Sequence, residues 1–310
     1  MILRNLGRSG LRVSLVGLGC NNFGQRMDLE SSRLVIHKAL DAGITLFDTA
    51  DVYGGRGGSE TVMGQILGDR RKDIVLASKF GMAMDDGERK GASRRYIMAA
   101  VEASLMRLKT DWLDLYQVHR PDALTPIEET LRALDDLVRA GKVRYIGCSN
   151  FSAAQMVEAQ WAARHLNLNA FISAQDEYSL VNRSLDRENL GVMQNYGLGL
   201  LPYYPLASGV LTGKHKRGQA AAGTRLTMQT FSGFMNDANF DIVDKLDAFV
   251  KARGHTLLEL AFSWLAARPT VGSIIAGATK PEQIDANVKA VGWELNADDM
   301  QEIDKLTAKA

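Results

Sequence analysis

The chain has 310 residues, of which 46% are hydrophobic and 24% charged, a composition that is typical of a folded globular protein and excludes an intrinsically disordered chain. Its 37 basic and 36 acidic side chains nearly cancel, which argues against nucleic acid or an anionic membrane as a partner and favours a small molecule. The N-terminus has no secretion signal and no window resembles a membrane span, so a cytoplasmic enzyme is expected.

The two cysteines, Cys20 and Cys148, each end an apolar run and do not stand at a metal-ligand spacing. We expect both to be small core side chains rather than a redox pair, and no metal site is predicted.

The N-terminal residues 1–14 predict a β-hairpin, because residues 1–5 and 11–14 flank a turn at Gly7 to Gly10. Apolar runs then alternate with helical patterns up to a last predicted helix at 296–306. Eight runs are candidate strands, at residues 15–19, 44–48, 74–79, 113–119, 143–149, 171–175, 198–202 and 272–276.

Helix signals separate these runs, such as Thr125-Pro126 before one helix and Gly43 or Gly141 after others. Parallel strands need right-handed helical crossovers, and eight such units close with a filled interior. The pattern therefore predicts an α/β fold, a (β/α)8 TIM barrel, with residues 1–310 forming a single domain. A doubly wound sheet seldom needs eight units.

One connection is long: residues 206–239, after the seventh barrel strand, have no clear period. Loops of this length are usually functional or disordered. We expect a cover over a bound ligand, and the alternative is a plain surface insertion.

Ionisable residues stand where three of the strands end. Asp48, Lys79 and His119 close their runs, and Tyr53 follows Asp48 by five positions. Barrel active sites lie at the carboxyl ends of the strands, so these four side chains are expected to converge. Taken singly, each has an ordinary structural interpretation; together they predict a proton-transfer site.

The chemistry of the four groups is complementary. A free phenol has a pKa near 10, and the ammonium of Lys79 would lower the pKa of Tyr53 while Asp48 holds Lys79 charged. A neutral His119 could donate a hydrogen bond to a carbonyl oxygen. The set suits proton donation to a developing alkoxide.

Five segments together resemble successive signatures of the aldo-keto reductases: residues 48–54, Ser59-Glu60, 76–79, 114–119 and 141–151. The resemblance spans nearly the whole chain. It implies reduction of an aldehyde or ketone, sugar aldehydes included, to the alcohol. Hydride would come from a nicotinamide, Tyr53 would be the general acid, Lys79 and Asp48 would tune it, and His119 would orient the carbonyl.

The glycines Gly17, Gly19 and Gly24 could suggest a dinucleotide fingerprint, but the third lies too far from the second and no helix opens there. A better anion site is predicted where Gly277-Ala278-Thr279-Lys280 leads into a helix at Pro281, because helix N-termini bind phosphate and late barrel turns often do so. The alternative is an ordinary capped helix.

The resemblance also assigns cofactor contacts. Ser149, Asn150 and Gln175 would bind the carboxamide, and Tyr203 would stack on the nicotinamide. The loop along the pyrophosphate would be residues 204–214, and residues between 277 and 287 would hold the adenosine end. The assigned positions in these two regions are Pro205, Leu206, Ser208, Gly209 and Lys214, followed by Gly277, Thr279, Gln283 and Asn287.

The chain departs from some branches of the family at Gly277, Gln283 and Ala286, where those branches carry a Lys, an Arg and an acid. The pattern is closer to the bacterial sugar-aldehyde reductases and potassium-channel β subunits. Lys280 is then the candidate that reads a 2′-phosphate, which favours NADPH, with NADH as the alternative.

Candidate walls of the substrate pocket are Phe23, Tyr53, Phe80 and the 206–239 segment, although aromatic residues there could equally anchor loops. Two rival functions remain open: a Schiff-base enzyme that uses Lys79, and an NADPH-binding redox-sensing or regulatory subunit with little turnover. No sequence feature selects an oligomeric state.

Overall fold

A computed structural model describes residues 1–87 and 89–308, so the last two residues of the predicted domain lie outside it. Eight parallel strands form one sheet in the order β10-β3-β4-β5-β6-β7-β8-β9, and parallel bridges from Leu200 to Val271 and from Tyr203 to Ile275 join its two ends. The predicted TIM barrel is therefore confirmed. Its strands are β3 (Val16–Gly19), β4 (Leu46–Asp48), β5 (Val75–Phe80), β6 (Leu113–Val118), β7 (Val143–Ser149), β8 (Ser173–Gln175), β9 (Gly199–Leu200) and β10 (Ile274–Gly277).

Helices follow the strands and cover the outside of the sheet. Polar side chains cap several of them; for example, the Asp28 carboxylate accepts from Ser31 N and Ser152 forms a reciprocal capping box with Gln155. The helices are α1 (Leu29–Asp41), α2 (Tyr53–Arg56), α3 (Gly58–Ile66), α4 (Arg94–Leu108), α5 (Ile127–Arg139), α6 (Ala153–His165), α7 (Asn189–Tyr196), α8 (Asp237–Lys251), α9 (Leu257–Ala266), α10 (Pro281–Lys289) and α11 (Ala297–Thr307).

The predicted hairpin, β1 (Leu3–Asn5) and β2 (Arg12–Ser14), closes the amino-terminal end of the barrel. Leu6 and Val13 are fully buried and pack against an interior cluster formed by Leu46, Ala77, Leu115, Leu201 and Ile275. The turn requires Gly7, which has φ 59°, because a Cβ there would lie 2.3 Å from the carbonyl oxygen of Gly197. This plug fills the interior of the barrel at its amino-terminal end.

A larger apolar core lies between the strands and the helices, and both Cys20 and Cys148 are fully buried in it as free thiols, as predicted. Phe23 and Phe80 belong to the same core and are also completely buried. Of the two alternatives for these rings, substrate contact and packing, the structure therefore agrees with packing; the Phe80 ring lies 4.8 Å from that of Tyr116.

The irregular segment after β9 ends within three residues of its predicted end, which the sequence placed at about residue 239. Helix α8 begins at Asp237, with the Asn236 side chain accepting from Asn239 N, so the segment ends at 236 rather than 239. It contains three short 3₁₀ helices, at Ala207–Thr212, Arg225–Thr227 and Gln229–Phe234. Among the described residues, no helix is both long enough and apolar enough to cross a membrane.

Candidate active site

Strand alternation places the site residues on the inner face of the barrel. Side chains two positions apart on a strand point the same way, and each of several polar residues follows an interior apolar residue by two. Leu46 precedes Asp48, Ala77 precedes Lys79, and Leu115 precedes Gln117, which is followed by His119. The polar groups therefore form a layer directly above the apolar plug.

Lys79 is the centre of this layer. Its Nζ lies 2.7 Å from Asp48 Oδ2, 2.9 Å from the carbonyl oxygen of Thr49 and 3.4 Å from the hydroxyl of Tyr53. The His119 and Tyr53 rings are nearly perpendicular, with 5.6 Å between their centroids. The four side chains that sequence reasoning singled out thus lie around one point, although up to 71 positions separate them.

The loop that carries Tyr53 is anchored by buried polar contacts. The Ser59 hydroxyl lies 2.8 Å from that of Thr49 and donates to the carbonyl of Cys20 at 2.8 Å. The carboxylate of Glu60, which is fully buried, accepts from Ser78 Oγ at 2.5 Å and from Arg107 Nε at 2.7 Å. These contacts tie α3 to β4, β5 and α4, and so fix the position of the preceding turn.

The electrostatics of Lys79 favour its charged form. Burial disfavours the ammonium, but the Asp48 carboxylate and the Tyr53 oxygen outweigh it and raise the pKa of Lys79 above its usual value. For Tyr53 the balance is reversed: burial raises the pKa of the phenol above its ordinary 10, and Lys79 only partly opposes this. The expected lowering is thus not seen, because burying the phenol penalises its anion more than Lys79 stabilises it.

His119 is uncharged at neutral pH. Burial, together with the positive charges of Lys79 and Arg120, lowers the pKa of its imidazole from 6.5 to about 3. Its Nδ1 is buried without a hydrogen-bond partner among the described residues. A neutral ring in this position can donate one N–H to an incoming oxygen.

Asp48 is held from its other side by two amides. Its Oδ1 accepts from Gln175 Nε2 at 2.9 Å and from Gln117 Nε2 at 3.3 Å. Sequence reasoning missed Gln117, although the two-residue alternation of β6 places it on the same face as His119. Sequence reasoning assigned Gln175 to a nicotinamide carboxamide, whereas in this structure its side chain contacts Asp48, one of the four converging residues.

The other residues assigned to the carboxamide form one hydrogen-bond network beside the four converging side chains. Asn150 Nδ2 donates to the carbonyl of His119 at 3.0 Å and to Ser149 Oγ at 2.9 Å, and Tyr203 OH donates to Asn150 Oδ1 at 2.8 Å. Asn150 adopts φ 61°, an unusual conformation for a non-glycine residue. The network fixes the Asn150 amide and the Tyr203 ring at the mouth of the barrel.

The segment after β9 is strained where the pyrophosphate loop is predicted. Tyr204, Ala207 and Ser208 have φ of 53°, 47° and 57°, and Ser208 Oγ is a buried atom with no hydrogen-bond partner among the described residues. Strained backbone and unpartnered polar atoms are typical of ligand-binding segments. Of the other residues assigned here, Pro205 is buried, Leu206 and Gly209 are half-buried, and Lys214 is exposed.

The start of α10 is capped by its own side chain. Gln283 Oε1 accepts from Thr279 N at 2.7 Å and from Lys280 N at 3.1 Å, so it occupies amides that were predicted to face a phosphate. This geometry is that of the capped-helix alternative. The Lys280 and Gly277 positions are exposed beside this cap, whereas Asn287 is buried.

Arg225, in the long loop, was not identified from the sequence. One of its guanidinium nitrogens donates to Asn22 Oδ1 at 2.8 Å and to Asn21 Oδ1 at 3.2 Å, and the group lies over the Phe231 ring at 5.1 Å. It pairs with no carboxylate among the described residues, and burial lowers the pKa of its guanidinium below the ordinary value. Only a contact across 203 positions reveals it, so local sequence carried no signal.

Partly exposed aromatic rings replace the buried Phe23 and Phe80 as candidate pocket walls. The Tyr204 ring meets Tyr203 edge-on at 5.1 Å, Phe234 at 5.9 Å and Phe231 at 6.0 Å. The 206–236 segment therefore contributes an aromatic cluster at the barrel mouth, next to the strained turn.

Comparison with known proteins gives consistent matches over nearly the whole chain. The model of the aldo/keto reductase family matches residues 15–308. The rice (Oryza sativa subsp. japonica) protein named "Probable voltage-gated potassium channel subunit beta" is 39% identical over 300 residues, which are 94% of this chain and 91% of that protein. L-glyceraldehyde 3-phosphate reductase of Escherichia coli strain K12 is 34% identical over 310 residues, covering 94% and 88% respectively. Aldo-keto reductase YhdN of Bacillus subtilis is 34% identical over 312 residues, covering 97% and 92%.

A parallel barrel with an amino-terminal hairpin, four converging polar side chains at its carboxyl end and these matches lead to one assignment. The chain belongs to the aldo/keto reductase family of oxidoreductases.

Proposed function

We propose that this protein reduces an aldehyde or ketone to the alcohol with NADPH. The observation that carries the proposal is the position of Lys79 Nζ, between Asp48 Oδ2 at 2.7 Å and the Tyr53 hydroxyl at 3.4 Å, with an uncharged His119 beside the same tyrosine.

Each side chain then has one role. Tyr53 keeps its proton at neutral pH and gives it to the carbonyl oxygen as negative charge develops there. The Lys79 ammonium stabilises the phenolate that remains, and Asp48 keeps that ammonium charged and in place. His119 donates an N–H to the carbonyl oxygen and so orients and polarises it. Gln117 and Gln175 hold Asp48.

The residues at the barrel mouth fit a nicotinamide dinucleotide, which when bound supplies the hydride. Among the described residues, Ser208 Oγ is buried without a hydrogen-bond partner and Arg225 pairs with no carboxylate, so both can serve the pyrophosphate. Asn150 and Tyr203 would hold the nicotinamide end, together with Ser149. Lys280 would bind a 2′-phosphate beside the start of α10, where the Gln283 side chain caps the backbone N–H groups.

The experiment is to follow NADPH absorbance with purified protein against small aldehydes, diketones and sugars, with NADH in parallel. The panel includes glyceraldehyde 3-phosphate, because an E. coli relative is named for its reduction. Substrate-dependent oxidation of NADPH that the Tyr53→Phe variant lacks supports the proposal. Equal rates in the two proteins would assign the proton to another group.

A second candidate function is a regulatory subunit that binds NADPH with little turnover. It is favoured by relatives named as potassium channel β subunits, such as the rice protein at 39% identity. Tight NADPH binding with negligible reduction of every carbonyl compound in the panel would favour it over the reductase.

The Schiff-base alternative requires a neutral Lys79 amine, and the raised pKa of that group disfavours it. Borohydride trapping with a carbonyl substrate separates the two enzyme classes. The reductase leaves Lys79 unmodified, and a covalent adduct on Lys79 would contradict it.

We also propose that the chain folds as one domain. The Arg4 side chain donates to the carbonyl of Ala266 at 2.6 Å, and Arg225 links the long loop to the first barrel loop, so distant segments are tied together. A single cooperative unfolding transition, followed by two probes, would support this; two separate transitions would contradict it.

A further inference from the structure

A cavity of about 370 Å³ opens at the amino-terminal end of the barrel, away from the four converging side chains. The hairpin turn, the start of β7, the residues before β8 and the end of α7 surround it. Arg144, in its wall, precedes Ser149 by five positions on β7, which corresponds to about 16 Å along a strand. The cavity is therefore separate from the site at the carboxyl end.

The wall carries positive charge that is not neutralised. Of the residues that the structure describes, it includes Arg8 and Arg144 and no Asp or Glu. Within residues 1–87 and 89–308, neither arginine pairs with a carboxylate; the Arg144 guanidinium lies over the Trp112 ring at 5.8 Å, and that of Arg71 lies over the same ring at 4.6 Å. Two arginines in the wall of one cavity, with no carboxylate among its described lining residues, favour an anion there.

A nearby acid, Asp135, is fully used by other groups. Its Oδ1 accepts from the backbone and side-chain N–H groups of Asn169 at 2.9 and 2.7 Å, and its Oδ2 accepts from Arg139 Nε at 2.6 Å. Asp135 therefore does not neutralise the cavity, although Asn169 lies in the wall.

Two phenols add hydrogen-bond donors to the wall. Tyr196 OH accepts from Trp161 Nε1 at 2.8 Å, which leaves its own proton available. Tyr145 OH has no hydrogen-bond partner among the described residues. The side-chain amide of Gln160, by contrast, is spent on the carbonyl of Phe171 at 2.8 Å. The two phenols thus provide O–H groups that can donate to an anion.

The remaining wall is apolar, with Ile146 and Phe171 buried and Val138 half-buried beside them. The volume lies within the range of small-molecule pockets, about 300 to 1,000 Å³. We propose that this cavity is a second binding site, which takes a small organic anion with its charged group against Arg8 and Arg144 and its apolar body against Phe171 and Ile146.

Fluorine NMR titration of the full chain with para-trifluoromethylbenzoate tests the proposal. Arg8→Gln and Arg144→Gln should each weaken binding about ten-fold or more, and Tyr196→Phe should weaken it less. Arg132→Gln is the matched control, because it removes an exposed cation of α5 that is not in the wall. Equal affinity in the wild type and both wall-arginine variants would overturn the proposal.

Three further ligands test the chemistry of the site. Para-trifluoromethylbenzyl alcohol has the same apolar body without the charge and should bind at least about ten-fold more weakly. Phenyl phosphate should bind like the carboxylate, and inorganic phosphate should bind more weakly than either. Alcohol binding equal to that of the benzoate, or inorganic phosphate binding as tightly as phenyl phosphate, would contradict the proposal. Arg8 is exposed on a hairpin turn, so the Arg8→Gln variant is expected to fold. It therefore tests the proposal even if Arg144→Gln fails to fold.

Discussion

The ion pair between Lys79 and Asp48 is almost completely withdrawn from solvent, with side-chain exposures of 0% and 3% and 2.7 Å between Nζ and Oδ2. A buried charge that loses its partner is strongly destabilising, whereas loss of both charges together costs much less. The pair is therefore a structural element of the barrel as well as the centre of the site.

Removing one member of this pair should destabilise the fold. Lys79→Met leaves the Asp48 carboxylate without its cation and should lower the free energy of unfolding by about 3 to 5 kcal/mol. The double variant Asp48→Asn with Lys79→Met should lose clearly less than the sum of the two single variants. Urea unfolding of the four proteins measures this coupling, and simple additivity would contradict it.

Tyr53→Phe should remove most turnover while leaving the fold and NADPH binding in place, because it deletes one proton donor and little volume. A positioned general acid contributes about 10² to 10⁴ in rate, so a loss in that range is expected in kcat. Steady-state kinetics and a fluorescence titration with NADPH measure the two effects. Weakened NADPH binding with unchanged kcat would be the opposite of this expectation.

His119 should stay neutral throughout the range in which most enzymes are assayed. Burial and the charges of Lys79 and Arg120 lower its pKa to about 3, so its ring resonances should not shift between about pH 5 and 8. Heteronuclear NMR of the imidazoles, with His119→Gln to assign the signal, tests this. A titration midpoint between about 6 and 7 for that signal would contradict it.

The lowered pKa of His119 also makes the stability of the fold depend on pH. The folded state keeps His119 neutral, whereas the same residue in the unfolded chain takes up a proton as the pH falls below its ordinary pKa of 6.5. His119 therefore lowers the stability of the fold progressively as the pH falls from about 6.5 towards 3. The His119→Gln variant should lose less stability over that interval than the wild type does.

Asp176 should produce the opposite dependence. Burial raises the pKa of its carboxyl from 3.8 to about 7, although Asn150 N, at 3.0 Å from its Oδ1, favours the carboxylate. The folded state therefore holds a proton that the unfolded chain releases, and stability falls as the pH rises from about 4 to about 7. The size of this effect is as much as about 4 kcal/mol.

Asp176→Asn should remove this dependence, because the amide has no proton to release and its oxygen can still accept from Asn150 N. The variant should gain stability relative to the wild type as the pH rises across that window. Unfolding curves at a series of pH values test this, and parallel curves for the two proteins would contradict it.

Lys280→Glu should weaken NADPH far more than NADH, because only NADPH carries the 2′-phosphate that this exposed side chain would meet. Lys289→Glu, the same charge change in the last turn of α10, is the matched control and should affect neither strongly. Arg225→Gln should weaken both cofactors, since the pyrophosphate is common to them. Equal loss of NADPH and NADH in Lys280→Glu would remove Lys280 from this role.

The sequence was a sufficient guide wherever a property repeats along the chain. Apolar runs separated by helix and turn signals predicted all eight barrel strands and the hairpin, with each end within two residues of its observed position. Because an active-site residue of a barrel stands where a strand ends, the same runs also indicated Asp48, Lys79 and His119. The family signatures around Tyr53 completed the set.

Long-range contacts and burial were decided only by the tertiary structure. Arg225 is positioned by a hydrogen bond to Asn22, 203 positions away, and Gln117 is positioned by a hydrogen bond to Asp48, 69 positions away. The phenol of Tyr53 was expected to become more acidic beside Lys79, yet the closed barrel buries it and raises its pKa. Phe23 and Phe80 became core for the same reason. A chain's periodicity is set by each residue's neighbours in sequence, whereas the solvation of a side chain depends on which distant segments close around it.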